Sequence, residues 1–134
     1  MHLTVELTML AYSVALLIVL VLIQANAGIM SKGLVPLANN RDGLTPPEGF
    51  HARCLRVVGN HREGLTMFAP VVLAAGLAGI HNSWTVLGAQ LFFWSRLAHA
   101  VIYLTGLPMI RPLAWTIGLV GTVMVLLALL GFIH

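Results

Sequence analysis

Two long apolar runs frame the chain. Leu7–Ile23 is interrupted only by Thr8, Tyr12 and Ser13, and Leu113–Ile133 carries no charge at all. Each can cross a hydrocarbon core, which takes about 20 apolar residues in a helix. Between them, Leu65–Ile80 and Ser83–Ser95 are apolar but shorter, so a full span must borrow polar residues on its flank. The pattern predicts a single domain over residues 1–134, an all-α integral membrane protein built as a four-transmembrane-helix bundle, with helices about 5–27, 52–80, 83–105 and 111–133. Gly28–Phe50, rich in Gly, Pro and Asn, reads as the only long loop, and His81-Asn82 and Gly106-Leu107-Pro108 read as tight turns.

Composition strengthens this reading. Of 134 residues, 59% are hydrophobic and 8% charged, and the mean hydropathy is +0.95; a soluble domain carries roughly 25% charged residues. No basic segment precedes the first run and no small-residue cleavage site closely follows it, so a removable signal peptide is not expected.

Charge adds an orientation. Lys32, Arg41, Arg53 and Arg56 gather around the first loop and Arg111 sits at the third, whereas the second loop has no basic residue. The positive-inside rule then predicts cytosolic first and third loops, with both termini on the opposite side. The net charge of +3 is in this sense a topology signal, and nucleic-acid binding is not expected, because the basic residues stand at helix ends and form no soluble basic face. The single cysteine, Cys54, excludes an internal disulfide and reads as a small interfacial residue; the scattered histidines lack metal-ligand spacing, so no metal is expected.

Candidate chemistry lies in two polar stripes. At about 100° per residue, Arg53, Arg56, Asn60 and Glu63 fall within an arc of roughly 80°, and Arg62 lies opposite. Arg62 and the adjacent His61 read as headgroup-level residues. A full span for this helix carries Glu63 into the hydrocarbon, where a carboxylate must be paired and face the bundle interior. Arg96, His99 and Tyr103 share a face of the next helix at i, i+3 and i+7. Folding the chain back at Asn82 brings Asn60 and Glu63 level with Tyr103 and His99, near the end where Arg111 enters. Several arginines beside one glutamate suit a small zwitterion with extra carboxylates, since guanidinium groups pair carboxylates bidentately. Gaps between helices on the lipid side suit an apolar second ligand.

The run R-C-L-R-x-x-x-N-x-x-E, followed by R-x-x-H-x-x-x-Y and an arginine shortly after, resembles the MAPEG family, the membrane-associated proteins of eicosanoid and glutathione metabolism. The resemblance covers nearly the whole chain in length, helix count and loop placement. It implies a homotrimer in which glutathione, the co-substrate, lies between neighbouring subunits near the cytosolic side, with membrane lipids and a lipophilic or lipid substrate as the other partners. By the same resemblance Arg56, Asn60 and Glu63 hold glutathione together with His99 and Tyr103, and Arg53 and Arg96 occupy motif positions with a structural or electrostatic part in the same site. Arg111, at a slightly shifted spacing, matches the arginine that stabilises the glutathione thiolate, and Tyr103 is positioned to donate a hydrogen bond to the sulfur. Val58 and Gly59 stand where some relatives carry further basic or histidine residues.

The activity implied is a glutathione transferase or peroxidase acting on lipophilic electrophiles. A thiol of pKa about 8.5 is mostly protonated at neutral pH, and an adjacent cation raises the thiolate fraction. Two other classes fit the pattern less fully. A non-catalytic member would bind lipid or a partner helix, but has no need for Arg56, Asn60, Glu63 and Tyr103. A small four-helix exporter needs an embedded carboxylate in its path; Glu6 reads as too near a helix end, and Glu63 as held ionised by arginines.

Overall fold

The computed structural model describes residues 2–38, 43, 45–107 and 109–134. Arg41 and Pro108, both used in the reading of the loops, lie outside the described residues. Among the described residues five helices follow one another: α1 (Val5–Lys32), α2 (Leu34–Ala38), α3 (Gly49–Leu77), α4 (Ser83–Thr105) and α5 (Arg111–Leu129). No strand is present among the described residues.

The helix ends follow local chemistry. Thr4 caps α1 by accepting from Leu7 N. Asn82 and Thr85 form a reciprocal capping box at the start of α4, satisfying two backbone donors that the first turn leaves free. Gly33 (φ 87°) and Gly106 (φ 80°) close α1 and α4 in backbone conformations that side chains disfavour.

Helix boundaries differ from the sequence reading in two places, around the first loop and at C-terminal ends. The first helix does not stop at residue 27 but runs on to Lys32, and α2 follows, so the long loop from Gly28 is shorter than expected. Gly28, now inside α1, leaves room for His51 and Leu37 to approach: a Cβ there would stand 3.2 Å from His51 Nε2 and 3.3 Å from Leu37 Cδ1. Lys32 Nζ, at the end of α1, donates to Thr45 Oγ1 and ties down the far side of the loop. The other difference is at the C-termini: α3 ends at Leu77 and α5 at Leu129, short of residues 80 and 133, because Gly79 (φ 71°) and Gly131 (φ 83°) turn the chain out of the helix.

The long helices pack into a bundle. α4 and α5 make the most extensive contact, and α1 lies against both α3 and α4. Glycines allow the α4–α5 approach: a Cβ on Gly121 would strike the Gly88 carbonyl and come within 2.9 Å of Phe92 N. Two apolar clusters fill the interior. One is centred on Phe68 and Phe92, stacked at 3.9 Å, with Leu65, Val72 and Val125; the other joins Leu20, Val57, Val58 and Ala100 to Tyr103. α1 and α5 are long and apolar enough to cross a membrane. Their outward faces, including Ile18, Val19, Leu22, Leu113 and Val120, stay exposed, which suits helices meeting lipid.

Polar residues occur inside the bundle as well. Glu6, 5% exposed, accepts from Thr85 Oγ1 at 2.5 Å and pairs with His81 Nδ1 at 2.8 Å. Glu6 stands in the first turn of α1 and His81 in the α3–α4 turn, where the sequence places them; what the spacing did not show is that, together with Thr85, they clamp the start of α1 to that turn. His61, expected at headgroup level, is 2% exposed. Its Nε2 donates to the Ser13 carbonyl of α1 at 2.7 Å, a carbonyl being able only to accept. Cys54, expected at an interface, is fully buried.

Candidate functional site

At the opposite end of the bundle from Glu6, α3, α4 and α5 surround an open pocket of about 510 Å³ lined by Asn60, His99, Tyr103, Met109, Arg111, Pro112 and Trp115. The helical spacings explain the convergence. His99 and Tyr103 stand one turn apart on α4; Arg111 and Trp115 stand one turn apart on α5. Pro112, in the first turn of α5, occupies a position where the missing N–H costs no helical bond.

Tyr103 is the hub. The residue is 8% exposed, and its hydroxyl accepts from Arg56 Nε at 2.9 Å. The Arg111 guanidinium lies 4.5 Å from the ring centroid and that of Arg56 lies 5.8 Å away, within the range of a cation–π contact. The His99 ring is 5.5 Å from the same centroid, tilted by 55°. One phenol thus sits between two cations, with an imidazole beside it.

The remaining expected site residues are distributed differently. Arg56, Asn60 and Glu63 share a face, as their spacing requires, but only part of it meets the pocket: Asn60 lines it and Arg56 reaches Tyr103, whereas Glu63 turns outward. Arg56 and Glu63 are exposed and Asn60 is half-buried, and among the described residues Glu63 forms no ion pair. The expectation that Glu63 points into its own bundle is corrected here. Helical phase groups residues without choosing the face that is buried, and the buried face of α3 belongs to His61, Leu65, Phe68 and Val72. Arg53 lies beside the site, its guanidinium 5.7 Å from the Phe50 ring and facing Gly106.

Arg96 is not among the pocket's lining residues. It is 3% exposed, rests 5.7 Å from the Phe92 centroid, and occupies room left by Gly64 on α3 and Gly118 on α5. Its Nε and Nη1 lack a hydrogen-bond partner among the described residues.

Three lining residues were absent from the sequence reading: Met109, Pro112 and Trp115. Trp115 was accessible from its i+4 spacing to Arg111. Met109 has φ 77°, the one positive value at a non-glycine residue among those described, and is 87% exposed. A second groove, about 560 Å³, runs between the later half of α1 and the start of α3; it is lined largely by apolar residues such as Leu22, Ile23, Met30 and Phe50.

Residues 8–131, almost the entire chain, match the family model for MAPEG. The chain belongs to the MAPEG family. No curated protein and no solved structure matches it. MAPEG proteins are membrane proteins and include glutathione transferases and related proteins as well as non-catalytic members. With α1 and α5 suited to crossing a bilayer, this MAPEG chain is a helical membrane protein.

Proposed function

We propose that the protein is a glutathione-dependent transferase or peroxidase acting on lipophilic electrophiles. The observation that carries this reading is the gathering of Asn60, His99, Tyr103 and Arg111 around one open pocket, with Arg56 bonded to Tyr103. Arg56 and Asn60 offer donors to the peptide's carboxylates, and Glu63, on the same face, offers an acceptor for its ammonium. Arg111 places a positive charge beside the sulfur, favouring thiolate over thiol. Arg53 and Arg96 contribute positive potential from outside the pocket, with no ligand contact of their own.

In the transferase reaction the sulfur forms a bond to the electrophilic carbon, and the leaving group departs with its electron pair. With a hydroperoxide, sulfur takes the distal oxygen, the O–O bond breaks, and the alkoxide collects a proton. The resulting sulfenic acid condenses with a second glutathione to give disulfide and water. The apolar groove along α1 suits the lipophilic partner.

The same reading includes assembly and orientation. All four long helices cross the membrane, with α3 and α4 completed by the polar residues at their ends; the first and third loops are cytosolic and the termini lie opposite. Exposed Arg56 and Glu63 on α3 require cover at that depth, and neighbouring subunits of a homotrimer supply it.

The test is titration calorimetry of glutathione into the purified protein in detergent. Wild type and Arg62→Ala are expected to bind alike, while Glu63→Ala loses at least about tenfold in affinity, as expected for a lost charge-assisted contact. Absence of binding to wild type, or equal losses in the two variants, would overturn the assignment. A non-catalytic lipid-binding role, favoured only by the apolar groove, predicts no turnover of 1-chloro-2,4-dinitrobenzene under the same conditions.

A further inference from the structure

Arg56 uses an unexpected atom. The contact with Tyr103 is made by Nε, at 2.9 Å, and not by the guanidinium's outer nitrogens, and the residue as a whole is exposed. A phenol oxygen that accepts one hydrogen bond still has its own hydrogen to donate. That hydrogen cannot point at Arg56, which has only donors. Among the described residues no acceptor takes it. The ring itself is held: it is buried, with Arg111 on its face and His99 tilted beside it. The hydroxyl hydrogen is therefore the one free rotor of a fixed side chain that lines the pocket.

We infer that Arg56 is a positioning residue for Tyr103: its Nε–H fixes the phenol so that the hydroxyl hydrogen is turned into the pocket, ready for the sulfur or for the oxygen that leaves it. A donor bond into the phenol oxygen also polarises the O–H outward, since hydrogen bonds in series strengthen one another. This deepens the glutathione reading and rests on it for the identity of the acceptor. It separates two tasks in one side chain: Nε acts on Tyr103, and the outer nitrogens remain for an anionic ligand.

Two substitutions divide those tasks. Arg56→Gln places an N–H donor at the same number of bonds from the backbone as the arginine Nε, but carries no charge. Arg56→Lys keeps the charge and has a carbon at that position. With 1-chloro-2,4-dinitrobenzene as electrophile, Arg56→Lys is expected to lower kcat about tenfold, the weight of one charge-assisted hydrogen bond, with KM for glutathione moving less than about threefold. Arg56→Gln is expected to raise KM more than about tenfold and to lower kcat less than the lysine variant does. In a Tyr103→Phe background the lysine substitution should produce no further fall in kcat, because the two residues act as a unit.

A ligand-free readout keeps the orientation separate from the chemistry. The chain has two tyrosines, Tyr12 and Tyr103, so ¹³Cζ-labelled tyrosine gives two NMR signals, assigned by Tyr12→Phe. The Tyr103 signal should move in Arg56→Lys and stay near its wild-type position in Arg56→Gln. If it moves equally in both, or if both variants change KM alone, Arg56 is a ligand charge and the inference fails. Should the NMR pattern hold while wild type binds no glutathione, the positioning stands and the glutathione reading falls.

Discussion

The two ends of the bundle handle charge in opposite ways. At one end Glu6 is buried and satisfied: Thr85 donates to it, His81 pairs with it, and the cap of α4 holds Thr85 in place. At the other end Arg56 and Glu63 are exposed, and Arg111 and Tyr103 line an open pocket. A closed cluster spends its polar groups on holding helices together. An open one leaves them free for something outside the chain, and that incompleteness is what supports the ligand and the neighbouring copies proposed above.

This contrast can be broken first where the closed half is tightest. Gly121→Leu sets a side chain against the Gly88 carbonyl and Phe92 N, backbone atoms that cannot turn aside. Overpacking of this kind is expected to cost about 3 kcal/mol, read as a large fall in thermal denaturation temperature in detergent. A temperature unchanged from wild type would mean that the α4–α5 contact is not tight.

Thr85→Val probes the same half more gently. It leaves Glu6 short of a donor in a buried place, and the expected loss is about 2 kcal/mol, with glutathione affinity within about twofold of wild type. Equal losses of stability and affinity would show that the ends are not separable. The mildest probe is His81→Gln. The imidazole is 55% exposed, so solvent screens the pair and the cost should stay below about 1 kcal/mol, measured in the same denaturation series; a larger loss would move His81 into the core of the clamp.

α1 and α5 were legible from hydropathy alone, α3 and α4 from shorter apolar runs extended by their polar flanks, and the meeting of Asn60, His99, Tyr103 and Arg111 followed from helical phase plus one turn at Asn82. What phase could not give was the sign of a face. Nothing in the spacing of Arg56 and Glu63 says whether they look into their own bundle or out of it; that is decided by the competing apolar face of His61, Leu65, Phe68 and Val72. The burial of Arg96 depends on the space left by Gly64 and Gly118, which come from two other helices. The clamp at Glu6 was hidden for a similar reason: its partners His81 and Thr85 are 75 and 79 residues away in sequence. Such a pair leaves no local signature.

Met109 carries a different lesson. Its backbone sits at φ 77°, where glycine would rest without strain and a side chain costs about 1–2 kcal/mol. Yet the position holds a long thioether, almost wholly exposed at the rim of the pocket. Selection for durability alone would put glycine there, so the turn trades some robustness for a flexible, polarisable edge beside Arg111 and Trp115. A programme of stabilising substitutions would remove this methionine early, and with it a part of the pocket's rim.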